Sequence, residues 1–276
     1  MSVLPILLAT LSAGSAIQAK AEPFMLSVQA WTFNRFTVFE AIEKTALAGA
    51  RHIELFPGQR LSVDLTDVRL GPDMPVDAVA KLKEHLAKHG VKASAYGVTG
   101  ISRDENEARK LFKWAKDLGI GILNTESTDA IDTIEKMVRE FDVKVGFHNH
   151  PRTNDPNYKV WEPAYVLSLV KNRDPRIGAC ADTGHWVRSG IKPVDALRTL
   201  KGRIVSSHLK DLHEFARSGH DVPYGQGVSD VPAILTELLA QGFAGTLSVE
   251  YEHNWDASLP DVAQCIGFIR GLLATR

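Results

Sequence analysis

The feature that most limits how this chain can fold is a strict alternation of eight short apolar runs with eight segments whose apolar residues recur at helical spacing. The runs are residues 26–33, 52–56, 92–98, 121–125, 144–147, 177–181, 204–207 and 246–249. Short apolar runs bounded by turn residues read as buried strands. The segments 38–50, 76–89, 105–118, 130–141, 163–172, 194–200, 231–241 and 262–273 read as helices. Thr37 can cap the first of these, and Gly90 and Gly119 close the second and third. A strand covered by a helix after every step is solved most economically by one closed parallel (β/α)₈ barrel, an α/β TIM barrel. The rival is a doubly wound open sheet, but no Gly-x-Gly-x-x-Gly follows the first strand. The 276 residues suit one such barrel, which typically takes about 250, and no Pro-, Ser- or charge-rich linker marks a second domain. Residues 58–75 hold Gly, Pro and Asp without a clear period and read as a long loop on the functional side.

The N-terminus differs from the rest. Residues 3–17 are small and apolar, no charge precedes Lys20, and Ala19-Lys20-Ala21 supplies a small-x-small cleavage pattern. This predicts a signal peptide over 1–21, although the leading Lys or Arg of such segments is absent, and a mature barrel over 22–276 exported to the periplasm. The apolar part is too short to span a membrane, and no later segment reaches about 20 apolar residues. With 32 Lys and Arg against 33 Asp and Glu, no basic excess points to nucleic acid. Cys180 and Cys265 are too few and too far apart for a disulfide scaffold and read as small core residues.

In a barrel of this kind the C-terminal ends of all strands open on one cavity. This sequence places Glu54, Glu126, His148, His150, Asp182, His185, His208, Asp211, Glu250 and Glu252 there. So many acidic and imidazole groups in one mouth are costly unless something neutralises them, and a divalent cation would do so. Imidazole mixed with carboxylate, without Cys at the strand ends, suits Mn²⁺, Zn²⁺, Co²⁺, Fe²⁺ or Mg²⁺. No Gly-x-Ser-x-Gly elbow and no phosphate-binding P-loop is present. Arg188 and Lys210 are candidates for polarising a substrate oxygen. Of the aromatic residues that could wall a sugar (Trp31, Phe33, Phe56, Tyr96, Trp161, Trp186, Tyr224 and Trp255), Trp186 and Trp255 flank the ligand-bearing strand ends.

The segments GACADTGHW (178–186), IVSSHLKD (204–211) and LSVEYE (247–252), with GVSDV (227–231), resemble the xylose-isomerase-like TIM-barrel superfamily of sugar phosphate isomerases and epimerases. Inosose dehydratases, ketose 3-epimerases and the endonuclease IV branch belong to it. The resemblance runs from about Leu26 to the C-terminus and implies one divalent metal ion held by Glu, Asp, His and Glu of the fifth to eighth strands. The last three fall on Asp182, His208 and Glu250, but His148 stands where the first Glu belongs. The implied ligands are then His148, Asp182, His208 and Glu250, with Glu126 as an additional or replacement ligand. Glu126, His148, His185 and Glu250 become the expected catalytic groups, and Glu54, His150, Trp186, Lys210 and Trp255 the expected substrate contacts.

The resemblance implies a metal-dependent sugar isomerase or epimerase that removes a proton next to a polarised carbonyl and passes through an enediolate. His148 in place of Glu weakens a mechanism with two symmetrical carboxylate bases. The alternative is a lyase or hydratase acting on a 3-keto-glycoside or keto-sugar, and export favours such neutral sugars over sugar phosphates. A non-catalytic carbohydrate-binding barrel is the reading from another class. An endonuclease IV-type nuclease needs extra His ligands that the third and fourth strand ends lack. The expected partner is a small carbohydrate, and self-association into a homo-oligomer is left open.

Overall fold

The computed structural model describes residues 22–275, so the signal segment expected over 1–21 lies outside the described residues. Strands β1 (Met25–Gln29), β2 (His52–Leu55), β3 (Lys92–Tyr96), β4 (Ile122–Thr125), β5 (Lys144–His148), β6 (Ile177–Asp182), β7 (Ile204–Leu209) and β8 (Thr246–Val249) form one closed parallel barrel in chain order. Closure is made by β1 on β8, with Val28 opposite Val249. The helices are α1 (Val38–Leu47), α2 (Val76–Lys88), α3 (Glu105–Asp117), α4 (Ile131–Phe141), α5 (Pro163–Val170), α6 (Thr183–Arg188), α7 (Pro193–Thr199), α8 (Val231–Ala240) and α9 (Leu259–Ala274). Among the described residues no helix is long and apolar enough to cross a membrane. Cys180 and Cys265 are both free and buried.

The period of two along each strand separates two environments. Leu26, Val28, Ile53, Leu55, Val145, Phe147, Leu247 and Val249 belong to the buried apolar core. The residues between them carry the polar groups that bond across the barrel: Ser94 Oγ donates to Ser27 Oγ at 3.3 Å, Asn124 Nδ2 to Glu54 Oε1 at 2.7 Å, and Ser206 Oγ to Asn124 Oδ1 at 2.7 Å. The barrel interior beneath the mouth is therefore a largely satisfied polar layer, with Thr246 Oγ1 an unpaired exception.

The sequence-based elements need three corrections. The first run does not stay extended to residue 33. Gln29 Oε1 accepts the Trp31 N–H at 3.0 Å, and Ala30–Phe33 turn into a 3₁₀ helix. Strands β5, β6 and β7 continue one or two residues further than their apolar runs, through His148, Asp182 and Leu209, because the polar ends find partners inside the barrel. An additional helix, α6, follows β6 without a loop, where the sequence suggested only a turn; Asp182 caps it by accepting the His185 N–H at 2.7 Å. The described residues thus hold nine α-helices rather than eight.

Thr37 caps α1 as expected, in a reciprocal capping box with Glu40. The segment joining β2 to α2 is folded back on α1: Gln59 Nε2 donates to Phe33 O and Phe36 O, and Arg60 O accepts the Val38 N–H at 2.9 Å. Phe56 and Pro57 at its start are thereby held at the barrel mouth.

Candidate metal centre

The last inward residues of β5, β6 and β7, and the first residue after β8, bring His148, Asp182, His208 and Glu250 together. All four are buried, and one donor atom from each lies within 4.8 Å of the others. Asp182 Oδ2 is the meeting point, 3.6 Å from His148 Nε2 and 3.8 Å from His208 Nδ1. Asn149 clamps the Asp182 backbone on both sides, donating to its carbonyl and accepting its N–H, each at 3.0 Å.

Both imidazoles are oriented from behind by carboxylates. His208 Nε2 lies 2.9 Å from Glu54 Oε1, and Ser248 Oγ donates to the other Glu54 oxygen at 2.7 Å. His148 Nδ1 lies 3.3 Å from Glu126 Oε1. Burial opposes protonation of both rings, yet the carboxylates around them raise both pKa values. In the neutral rings, with these N–H groups donating backwards, the nitrogens aimed at Asp182 carry the lone pairs, an arrangement common behind metal-binding histidines. The tautomers follow from the partners.

The centre passes a direct test of fit for a divalent cation. His208 Nδ1 is buried and forms no hydrogen bond, although it is 3.0 Å from Glu250 Oε2. A buried nitrogen facing two carboxylates is costly unless a proton or a metal cation completes it, and the position that a proton takes there is the one a divalent ion would fill. The donor set, two imidazoles and two carboxylates, suits a borderline or hard divalent ion, and the described residues thus hold a cluster able to bind one.

Lys210, expected as a substrate contact, is instead a buried member of this centre. It is fully buried, and its ammonium lies 2.6 Å from Asp182 Oδ2 and closer still to Glu250 Oε2. Burial alone would favour the neutral amine, but Asp182, Glu250 and Glu252 outweigh it and raise the Lys210 pKa well above its ordinary value. Gly184 leaves room for the Lys210 stem, since a Cβ there would sit 2.6 Å from Lys210 Cβ. Alternation along β7 supplies the missed signal: His208 points inward, Leu209 outward, and Lys210 inward again.

His185 takes a defined state. Its Nδ1 faces Arg188 Nη1 at 3.0 Å, and a guanidinium can only donate, so Nε2 bears the hydrogen and points towards Asp182 Oδ2 at 3.6 Å. Burial, with Lys210, His148 and Arg188 nearby, lowers its pKa well below the ordinary imidazole value despite Asp182. Arg188 itself is held by Gly219 O, Asp221 and Glu252. Glu126 collects His148 Nδ1, His150 Nδ1 (2.6 Å), the His150 N–H and the Tyr158 hydroxyl (3.0 Å) on one oxygen. Burial opposes its ionisation, yet His148 and His150 together hold its carboxyl well below the usual range. Tyr158 comes from the irregular stretch before α5, where no periodicity announces it.

A cavity of about 250 Å³ opens over the centre, lined by His148, His150, His185, Glu250, Glu252 and the Trp31–Phe56 pair. Trp31 and Phe56 meet edge to face at 5.1 Å, and Trp31 is 42% exposed. They, rather than Trp186, supply the aromatic wall. Trp186 is fully buried because α6 turns it away from His185 into the core, and Trp255 is half-buried in the turn after β8, outside that lining. Glu54, expected at the substrate, lies beneath the cavity with its oxygens taken by Asn124, His208 and Ser248. Asp211 is also turned away: its carboxylate accepts the N–H groups of Gly225, Gly227 and Ser229 and shapes the loop before α8.

A family model described as a xylose isomerase-like TIM barrel matches residues 42–270. The rhizopine catabolism protein MocC of Rhizobium meliloti is 32% identical over 145 residues, 47% of this chain and 42% of that protein. Inosose dehydratase of Clostridium tetani is 27% identical over 140 residues, 45% of each chain. The matched region is thus less than half the length of these curated relatives. The crystal structure of an uncharacterised protein from Parabacteroides distasonis superposes with a TM-score of 0.73 at 30% identity, covering 91% of this chain and 99% of that one. That of an IolI protein with a zinc atom gives 0.67 at 16% identity, covering 91% and 99%, a likeness of fold.

Proposed function

The chain belongs to the xylose isomerase-like TIM-barrel family, and from that premise we propose that it is a divalent-metal-dependent carbohydrate enzyme that removes a proton next to a carbonyl and then expels a β-substituent. His148, Asp182, His208 and Glu250 would hold the ion. When bound, the cation supplies Lewis-acid polarisation of a substrate oxygen and offsets charge developing there. Elemental analysis of the purified chain distinguishes Mn²⁺, Zn²⁺, Co²⁺, Fe²⁺ and Mg²⁺ as that ion.

The observation that carries the reading is the unlike chemistry of the two arcs of the cavity rim. Glu250 and Glu252 follow β8, while His148 ends β5, His150 follows it and His185 stands on α6, with Glu126, just after β4, behind His148 and His150. Reversible inversion at one carbon is served by two equivalent bases on opposite faces of the substrate. Here the carboxylates after β8 face His150, which is not one of the four ligands and whose Nδ1 lies 2.6 Å from Glu126 Oε1, and this suits proton removal by one arc and protonation of a departing oxygen by the other. His185 presents a neutral N–H that can hold a substrate oxygen. Trp31 and Phe56 cover an apolar ring face. The similarity to inosose dehydratase supports elimination, over the part of the chain that it covers.

Incubating the metal-loaded chain with inososes, 3-keto-glycosides and ketoses in D₂O, followed by NMR, tests the proposal. Elimination produces an unsaturated ketone or its tautomer. Deuterium at the α-carbon with every substituent retained would instead assign isomerisation or epimerisation. Sugar binding with neither change would leave a non-catalytic carbohydrate-binding barrel. Glu126→Gln is expected to keep its metal and lose about 10²- to 10⁴-fold in turnover, the range for a positioned proton-transfer group; loss of the metal itself, read by elemental analysis, would make Glu126 a ligand instead. Export is retained as part of the proposal: N-terminal sequencing of the periplasmic protein should begin at Glu22, and an intact Met1 would refute cleavage.

A further inference from the structure

On the outer surface, where α1 packs against α2, three side chains converge that the proposed chemistry does not use. His85, in the last turn of α2, and His89, its C-cap residue, lie four residues apart and so share one side of that helix end, with ring centroids 4.6 Å apart. Glu43 of α1 reaches both: its Oε1 is 3.3 Å from His85 Nε2 and 3.8 Å from His89 Nε2. One donor atom from each of the three lies within 4.8 Å of the other two.

The rings are held in place for this meeting. His85 stacks flat on Phe39, with centroids 4.0 Å apart and planes 8° apart, and its Nε2 approaches the Phe39 carbonyl at 3.2 Å. His89 Nε2 is buried and has no hydrogen-bond partner among the described residues. Glu43 is the open side of the cluster, with 44% of its side chain exposed.

We propose that Glu43, His85 and His89 form a second metal site, separate from the barrel centre, for a borderline divalent transition-metal ion such as Zn²⁺. Two imidazoles and one carboxylate, with a coordination position open to water, match the donors that such an ion prefers. A single carboxylate offers too few oxygens for Ca²⁺, which takes 6–8 oxygen ligands. The ion replaces the Phe39 carbonyl as the partner of His85 Nε2 and supplies the partner that His89 Nε2 lacks. It clips α2 to α1, and the segment that carries Phe56 and Pro57 leaves β2, folds back on α1 and enters α2, so the clip steadies one wall of the substrate cavity.

Zinc loading of the full chain, dialysis and elemental counting of zinc test this in four proteins: the parent, Asp182→Asn, Glu43→Gln with His89→Asn, and all three substitutions combined. The outer substitutions should remove one equivalent of zinc in either background, and Asp182→Asn should keep a zinc that the triple variant loses. Zinc content unaffected by the outer substitutions in both backgrounds overturns the site. Each comparison is made within a background, so failure of the barrel centre to hold metal leaves the outer difference readable. If the double variant does not fold, Glu43→Gln alone, which opens no cavity, should weaken zinc retention by at least the roughly tenfold that even an outer-shell change costs; unchanged zinc affinity in that variant also refutes the site.

Discussion

Replacing Asp182 by Asn is expected to abolish metal retention at the barrel centre and to lower turnover by about a thousandfold or more, the upper end of what losing one preorganised electrostatic group costs. Asp182 Oδ2 is the atom on which His148, His185, His208 and Lys210 converge, while Oδ1 caps α6 through the His185 N–H. Asn keeps the volume and can still cap, so α6 and the fold should survive, which circular dichroism would verify. The change removes the negative charge at the centre of four nitrogen groups. Elemental analysis of the purified variant reads the outcome, and near-stoichiometric metal at this centre in a folded Asp182→Asn chain would sink the ligand assignment.

The second large effect is expected from Lys210→Met, and it depends on metal. Without metal, the buried ammonium is the cation that balances Asp182 and Glu250. Burial disfavours the ionised form of Glu250, yet Lys210 and His208 hold its carboxyl below the usual range. Met fills the channel beside Gly184 but takes from both carboxylates their nearest cation, leaving only imidazoles beside them, and breaking a buried ion pair from one side costs about 3–5 kcal/mol. The metal-free variant should therefore unfold at a clearly lower temperature than the metal-free parent. Saturating divalent metal should recover most of the difference, because a bound ion takes over the carboxylates that Lys210 neutralised. Thermal denaturation with and without chelator measures this, and equal stability of the two metal-free proteins would show that Lys210 is not the balancing charge.

The ligand candidates were legible because they sit at strand ends, where a barrel must place its chemistry. His148, Asp182, His208 and Glu250 each follow an apolar run, and parallel closure brings such positions to one mouth whatever the details of the loops. Lys210 was legible in principle from the alternation along β7. Its neighbour Asp211 shows the limit of that signal, since one residue further the same strand end turns outwards to bind three backbone N–H groups of its own loop. Trp186 misled because it stands beside His185 in the chain. On α6 adjacent residues point about 100° apart, so one faces the centre while the other enters the core.

The barrel, the order of its strands and the candidate polar residues of its mouth are readable from the chain alone, because short apolar strands alternating with helices admit few ways of burying their apolar faces. Tertiary structure alone decided which members of that set meet, which stand behind them and which leave. Glu54 and Glu126 orient His208 and His148, Lys210 lies among the carboxylates, and Trp31 with Phe56 forms the aromatic wall. Those roles rest on side-chain direction and on contacts between residues far apart in the chain, such as the 154 positions separating Glu54 from His208. Local propensity cannot encode either, since both depend on where the closed barrel sets one strand end against another.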